Sequence, residues 1–263
     1  MYPIMKKMAI DATINNSNTT ISLIFPSIFK YFSVIGNAMA FGIGMGIKFL
    51  SFFFLALIVI GLALFLPAGT LDYWEAWVYI CVVFIPALFV VLCFLKNDPE
   101  FLMRRMQFRE KEARQKTIIG LSNIIFMIGF LLPGFDHRFG WSELPFELVI
   151  MADVLVFLGY VLVLLVFKEN RYAARVIQVE KGQTVISTGP YSIIRHPMYI
   201  GVMLMLIATP IALGSFWALL PFLLLPIILI YRILNEEEVL LRDLPGYKEY
   251  CKKTRYRLIP YIW

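Results

Sequence analysis

Residues 198–231 read MYIGVMLMLIATPIALGSFWALLPFLLLPIILIY, 34 positions without a charged side chain. One straight helix of that length would run about 50 Å at 1.5 Å per residue, against a hydrocarbon layer of about 30 Å. The Gly214-Ser215 pair near the middle supplies a turn, so the stretch predicts a tight hairpin of two short helices, 198–213 and 216–231. Pro210, Pro221 and Pro226 predict kinks, which membrane helices tolerate where neighbouring helices or a cavity satisfy the freed backbone.

Four more apolar runs precede the hairpin: 49–67, 76–95, 117–133 and 148–167, the last carrying only Asp153. Hydrophobic residues make up 60% of the chain and charged residues 16%, well under the roughly 25% of soluble domains. One soluble domain of 263 residues cannot hide that much apolar surface. The expected fold is therefore all-α and polytopic, with six spans. Asp153 inside a span is a functional candidate by its chemistry, and its quieter reading, a polar contact to backbone beside the kinked hairpin, is preferred. Residues 21–46 are moderately apolar and broken by Pro26, Lys30 and Asn37; they read as an interfacial or partly buried segment. Lys6 and Lys7 are followed by a polar stretch, Asp11 to Thr20, and not by the apolar core of a signal peptide. Gly42, Gly44 and Gly46 lack a preceding strand and read as helix-packing positions, not a dinucleotide fingerprint.

Loop charges test the count of spans. With six, the long loops 96–116 and 168–197 share one side with both chain ends, and that side carries 23 of the 24 Lys and Arg residues. Only Arg138 falls opposite. Positive-inside statistics then put both termini and the long loops in the cytoplasm. The opposite loops are short and acidic (Asp72, Glu75, Asp136, Glu143, Glu147), with Trp74, Trp77 and Trp141 beside them as interfacial anchors. The net charge of +6 is accounted for by this topology and not by nucleic-acid binding. Cys81, Cys93 and Cys251 form no disulfide or metal spacing; the first two read as small buried hydrophobes. The organisation expected is an N-terminal cytosolic or interfacial segment, 1–48; four spans within 49–167; and a region 168–263 comprising the hairpin and a cytosolic tail.

Chemistry concentrates in that last region. The stretch Arg175–Ser187 is rich in Val, Ile and Gln and reads as an extended or irregular piece; Gly189-Pro190 is a turn signal. Arg195, His196, Pro197 and Tyr199 then crowd the start of an apolar helix, with Pro197 suited to the first turn. They are either headgroup anchors or part of a site. Past the hairpin, Arg232 and Glu236 stand four apart on one helix, and Glu236-Glu237-Glu238 form a run of carboxylates at the membrane boundary. These are either a solvated acidic face or acceptors for a ribose diol or a cationic ligand. The hairpin brings His196 and Glu236 to the same membrane face. The tail adds Pro245-Gly246-Tyr247, Tyr250 and Arg255–Pro260, a basic-aromatic run suited to closing over a site or lying on anionic headgroups.

In order, G-P-Y-x-x-x-R-H-P-x-Y-x-G (Gly189–Gly201), the uncharged hairpin, R-x-x-x-E-E (Arg232, Glu236, Glu237), P-G-Y-x-x-Y (Pro245–Tyr250) and R-L-I-P (Arg257–Pro260) resemble the isoprenylcysteine carboxyl methyltransferase family, related to the phospholipid N-methyltransferases. The resemblance spans about residues 168–263. It implies a cytosolic S-adenosylmethionine site held by Gln178, Gln183, Thr184, Val185, Ile186, Tyr191, His196, Pro197, Met198, Tyr199 and Glu236. The three-Glu run leaves the last of these open by one position. Arg232 would orient the substrate, and no metal is implied. A carboxylate acceptor is already ionised; an amine would have to lose a proton, which Glu237 could take. The implied activity is carboxyl O-methylation of an isoprenylcysteine-like or other lipidic substrate entering from the bilayer. Two other readings stand: an NADPH-dependent reductase with the architecture of the sterol reductases, which the three Glu residues disfavour near a phosphate, and a non-enzymatic membrane scaffold or transporter.

Overall fold

The computed structural model describes residues 44, 46–106, 113–173 and 176–263. The readings of residues 1–43, including nearly all of the 21–46 segment, lie outside the described residues. The chain divides into two units at Phe52–Phe53. Of the first, the described part is the start of helix α1, Gly46–Ala68; the second holds everything below. There α2 runs Trp74–Asn97, α3 Pro99–Arg105, α4 Ala113–Phe139, α5 Phe146–Glu169, α6 Pro197–Ala212, α7 Leu219–Asp243 and α8 Tyr247–Lys253, with a 3-10 turn at Gly189–Ser192. Among the described residues there is no strand: the Val- and Ile-rich stretch before Gly189 is irregular backbone.

Among the described residues five helices, α1, α2, α4, α5 and α7, are long and apolar enough to cross a bilayer, and the protein is an integral, multi-pass membrane protein. The sixth expected span, α6, has 16 residues, which reach only about 24 Å. The charge-free run divides unevenly because the turn is longer than Gly214-Ser215 alone. It occupies Leu213–Ala218, and α7 then continues unbroken through the three Glu residues to Asp243. Pro221 falls in the first turn of α7, where the missing N–H costs no helical bond. Helix α4 overruns its expected end at 133, so Asp136 and Arg138, expected in a loop, lie in its last turns.

Helix contacts are close where side chains are smallest. At Gly159 of α5 and Gly201 of α6, each glycine's missing Cβ would sit within 2.7 Å of the other's carbonyl oxygen. Phe222 of α7 lies against Gly129 of α4 and, with Tyr79, Phe130, Val156 and Leu225, forms part of the main apolar core. Large side chains such as Ile85, Phe89, Ile124, Met127 and Leu220 remain exposed, as lipid-facing residues must. Cys81 belongs with them, exposed on α2 and not buried as expected, because the reduced burial of a two-sided apolar helix is invisible in its composition. Trp74, Trp77 and Trp141 are exposed at helix ends.

The α6–α7 turn is clasped from α4. Gly214 adopts φ +68°. Ser215 Oγ donates to Asp136 Oδ2 and accepts from Ala218 N at 3.1 Å. Ser142 Oγ donates to the same carboxylate oxygen at 2.8 Å and accepts from Phe216 N at 3.1 Å, while Tyr73 OH donates to Leu213 O at 2.6 Å. Asp136→Ala strands two hydroxyls and should lower stability by about 1–3 kcal/mol, read as a lower melting temperature in detergent. Asp153 behaves otherwise than expected. It is buried in α5, and among the described residues neither carboxylate oxygen has a hydrogen-bond partner, to backbone or side chain.

Candidate functional site

Three pieces of sequence converge below α6. The Gly189–Ser192 turn needs φ +55° at Gly189, where a Cβ would press on the Glu169 carboxyl at 3.0 Å. Tyr191 is fixed at both ends: its hydroxyl accepts from Asn170 Nδ2 at 2.8 Å, and its carbonyl accepts from Tyr250 OH at 2.7 Å. His196 is the N-cap residue of α6 with Pro197 in the first turn, as the sequence predicts. The tail straps across this point, since Arg195 N donates to Tyr256 O and His196 N to Arg257 O, both at 2.9 Å.

Helix α7 meets these pieces with two different faces. Arg232, Glu236 and Leu240 are spaced by four and form one ridge. Tyr199 OH donates to Glu236 Oε2 at 2.6 Å and accepts from Arg232 Nε at 3.1 Å. Glu237, one position on, lies on another face. Its carboxylate accepts from Arg195 Nε at 2.6 Å, from Arg257 Nε at 2.6 Å and stands 3.3 Å from His196 Nε2. Arg195, by sequence either a headgroup anchor or part of a site, is buried. Burial works against its charge, but the hydrogen bond to and charge of Glu237 outweigh this and raise its pKa. Its Nη1 also donates to Thr254 O and Arg255 O, at 3.0 and 2.8 Å.

A cavity opens between these pieces, part of it open to solvent. Gln178, Gln183, Thr184, Val185 and Ile186 line it from the irregular stretch; Tyr191 lines it from the 3-10 turn; His196, Met198 and Tyr199 from α6; Arg232 and Glu236 from α7. Of the residues expected at a cofactor site only Pro197 is not in the lining. Glu237 is not in the lining either. Two guanidinium groups and an imidazole stand on its carboxylate oxygens.

The lining also includes residues not expected from sequence: Asn170, Tyr172 and Ala173 after α5, and Leu240 and Leu244 on the α7 side. The four-residue spacing from Arg232 and Glu236 was the available signal for Leu240. Tyr247 and Tyr250 line the cavity as well, the closing role considered for the tail. Burial raises the pKa of Tyr191, Tyr247 and Tyr250, the last to about 12, so all three hydroxyls stay protonated near neutrality. Tyr247 OH is buried without a hydrogen-bond partner among the described residues. A buried donor at a cavity wall, one carboxylate and a mixed polar and apolar lining suit a nucleoside-bearing cofactor with a cationic centre. Among the described residues no group of three His, Cys, Asp or Glu side chains could hold a metal ion.

Residues 148–245 match the phospholipid methyltransferase family. The mouse Delta(14)-sterol reductase TM7SF2 is 31% identical over 91 residues, covering 33% of this chain and 22% of that protein. The chain thus spans about a fifth of the length of that curated relative. All the cavity-lining residues except Tyr247 and Tyr250 fall within the region matched by the family.

Proposed function

From a region 148–245 that carries the phospholipid methyltransferase pattern, we propose that this protein is a membrane-embedded, S-adenosylmethionine-dependent methyltransferase of the isoprenylcysteine carboxyl methyltransferase type. Residues 168–263 are its methyltransferase-like region, and its acceptor is the carboxylate of a lipidic molecule entering from the bilayer. The observation that carries this reading is a single cavity lined by His196 and Tyr199 on one arm of the hairpin and by Arg232 and Glu236 on the other. The loop charges favour a cytosolic cavity and cytosolic chain ends.

When bound, S-adenosylmethionine supplies a methyl group activated by a sulfonium, and the chain's task is alignment of an in-line transfer. Glu236 provides the carboxylate for ribose hydroxyls or the cofactor's cationic part, and Tyr199 orients it. Tyr247 OH offers a buried donor. Arg232, beside Tyr199, holds the acceptor's carboxylate, which is ionised at neutral pH and needs no base. The apolar lining from Val185, Ile186 and Leu240 keeps water from the transfer path.

The sterol reductase likeness keeps an NADPH site as the second reading. Glu236 in the wall opposes a ribose phosphate, and Arg195 is already committed to Glu237. Calorimetric titration of the detergent-solubilised chain separates the two. S-adenosylhomocysteine should bind, and His196→Ala and Glu236→Ala should each weaken it at least tenfold, roughly 1.4 kcal/mol, with melting temperature little changed. NADPH binding in place of S-adenosylhomocysteine would overturn the proposal.

A further inference from the structure

We propose that Gln115 of α4 is a positioning residue for Arg232, so that the acceptor half of the site is built in part from a helix outside the family-matched region. The inference rests on the reading of Arg232 as the acceptor-binding group. Gln115 is fully buried near the start of α4, and residues 148–245, which carry the family pattern, do not include it. Its Oε1 accepts from Arg232 Nη1 at 2.9 Å. Its Nε2 donates to Asn235 Oδ1 at 2.6 Å and, at 3.5 Å, to the Arg232 carbonyl. Chemistry sets the orientation of this amide: a guanidinium only donates, so the atom facing it is the amide oxygen.

The bonds form one chain. Asn235 accepts from Gln115, Gln115 accepts from Arg232, Arg232 donates to Tyr199, and Tyr199 donates to Glu236. Bonds at Nε and Nη1 fix the plane of the guanidinium, whose direction matters because a fork of donors binds a carboxylate in one geometry. Gln115 itself does not line the cavity. It acts through Arg232, and both Gln115 and Asn235 are buried, where a mispaired polar group is costly. A second bond ties the same helices nearby, Arg114 Nη1 to Glu238 Oε2 at 3.2 Å, but both of those side chains are exposed and screened.

The test is a double-mutant cycle on the full chain: Gln115→Met, which keeps bulk and removes the polar atoms, Arg232→Met, and both together. Methyl transfer is read from labelled S-adenosylmethionine into a total membrane extract, and S-adenosylhomocysteine affinity is read alongside. Gln115→Met should slow transfer about 10- to 100-fold, as misplacement of a reacting group does, with cofactor affinity within about threefold. Because the two residues act as a unit, the double variant should be no slower than Arg232→Met by more than about threefold. Gln115→Glu, which keeps an acceptor for Arg232 Nη1, should recover transfer relative to Gln115→Met. Additive losses, a parallel loss of cofactor binding, or equal defects in the Glu and Met variants would each overturn the assignment. Wild-type protein that binds no S-adenosylhomocysteine refutes the proposed function instead. Wild-type protein that binds it yet labels nothing removes the acceptor role of Arg232, and this inference with it.

Discussion

Glu237→Ala should abolish S-adenosylhomocysteine binding and lower the melting temperature more than alanine at Tyr199 or Glu236. The reason is charge. The Glu237 carboxylate is buried and takes hydrogen bonds from Arg195 and Arg257, both at 2.6 Å. Removing it leaves two guanidinium groups converging on a space with no anion, and one of them, Arg195, is itself buried. Breaking a buried ion pair from one side costs on the order of 3–5 kcal/mol, a large fraction of the stability of a typical protein. The functional loss follows from the same contacts. Arg195 and His196 are strapped to the tail through Tyr256 O and Arg257 O, Arg257 stacks over the Trp263 ring at 5.2 Å, and Trp263 O accepts from Arg257 N and Leu258 N at 2.8 and 3.0 Å. Once the carboxylate is gone, the tail loses its charged anchor and the His196 ring loses its partner, so a wall of the cavity moves. Glu237→Gln keeps an acceptor oxygen while losing the charge and should fall between wild type and alanine in both measurements. A Glu237→Ala protein with wild-type melting and wild-type ligand affinity would show that the cluster is ornamental.

The sequence carries some of this and conceals the rest, for physical reasons. The hairpin is legible because 34 uncharged positions are too many for one crossing and Gly214-Ser215 supply a turn. Arg232 and Glu236 are legible as a pair because helical periodicity puts positions four apart on one face. The same periodicity separates Glu236 from Glu237, but it cannot say which face meets the cavity. That is decided by the tail, which folds back to bring Arg257 to Glu237 across 20 positions of chain. Arg195 resembles a headgroup anchor by its place at a membrane boundary, and its burial is explained by the contacts to Glu237 and to the tail carbonyls of Thr254 and Arg255. Gln115 gives no signal, since a polar residue between Arg114 and Lys116 reads as a solvated helix end. Asp153 is visible as an anomaly, but the absence of any partner for it among the described residues is a property of packing alone.

Gly201→Leu should destabilise the protein by about 3 kcal/mol, the upper range for overpacking, and remove ligand binding although residue 201 is not in the cavity wall. A Cβ there would lie 2.6 Å from Gly159 O and 3.0 Å from Val163 Cγ2. The first obstacle is backbone, which cannot rotate away as a side chain can, so α5 and α6 must separate. Membrane helices gain little from apolar burial against lipid and rely on close approach at small residues, so the contact is not replaced elsewhere. Separation moves the site because α6 carries His196 at its cap and Tyr199 in its first turn, while the segment after α5 carries Asn170, the partner of Tyr191. Gly201→Ala should show the same defects in smaller degree. The comparison that isolates the mechanism is Gly120→Ala in α4, where a Cβ meets nothing within 4 Å. There the helix-propensity gain of about 1 kcal/mol should leave melting unchanged or raised and ligand affinity intact. If Gly201→Leu matched Gly120→Ala in melting and affinity, the α5–α6 approach would not be what holds His196 and Tyr199 in place.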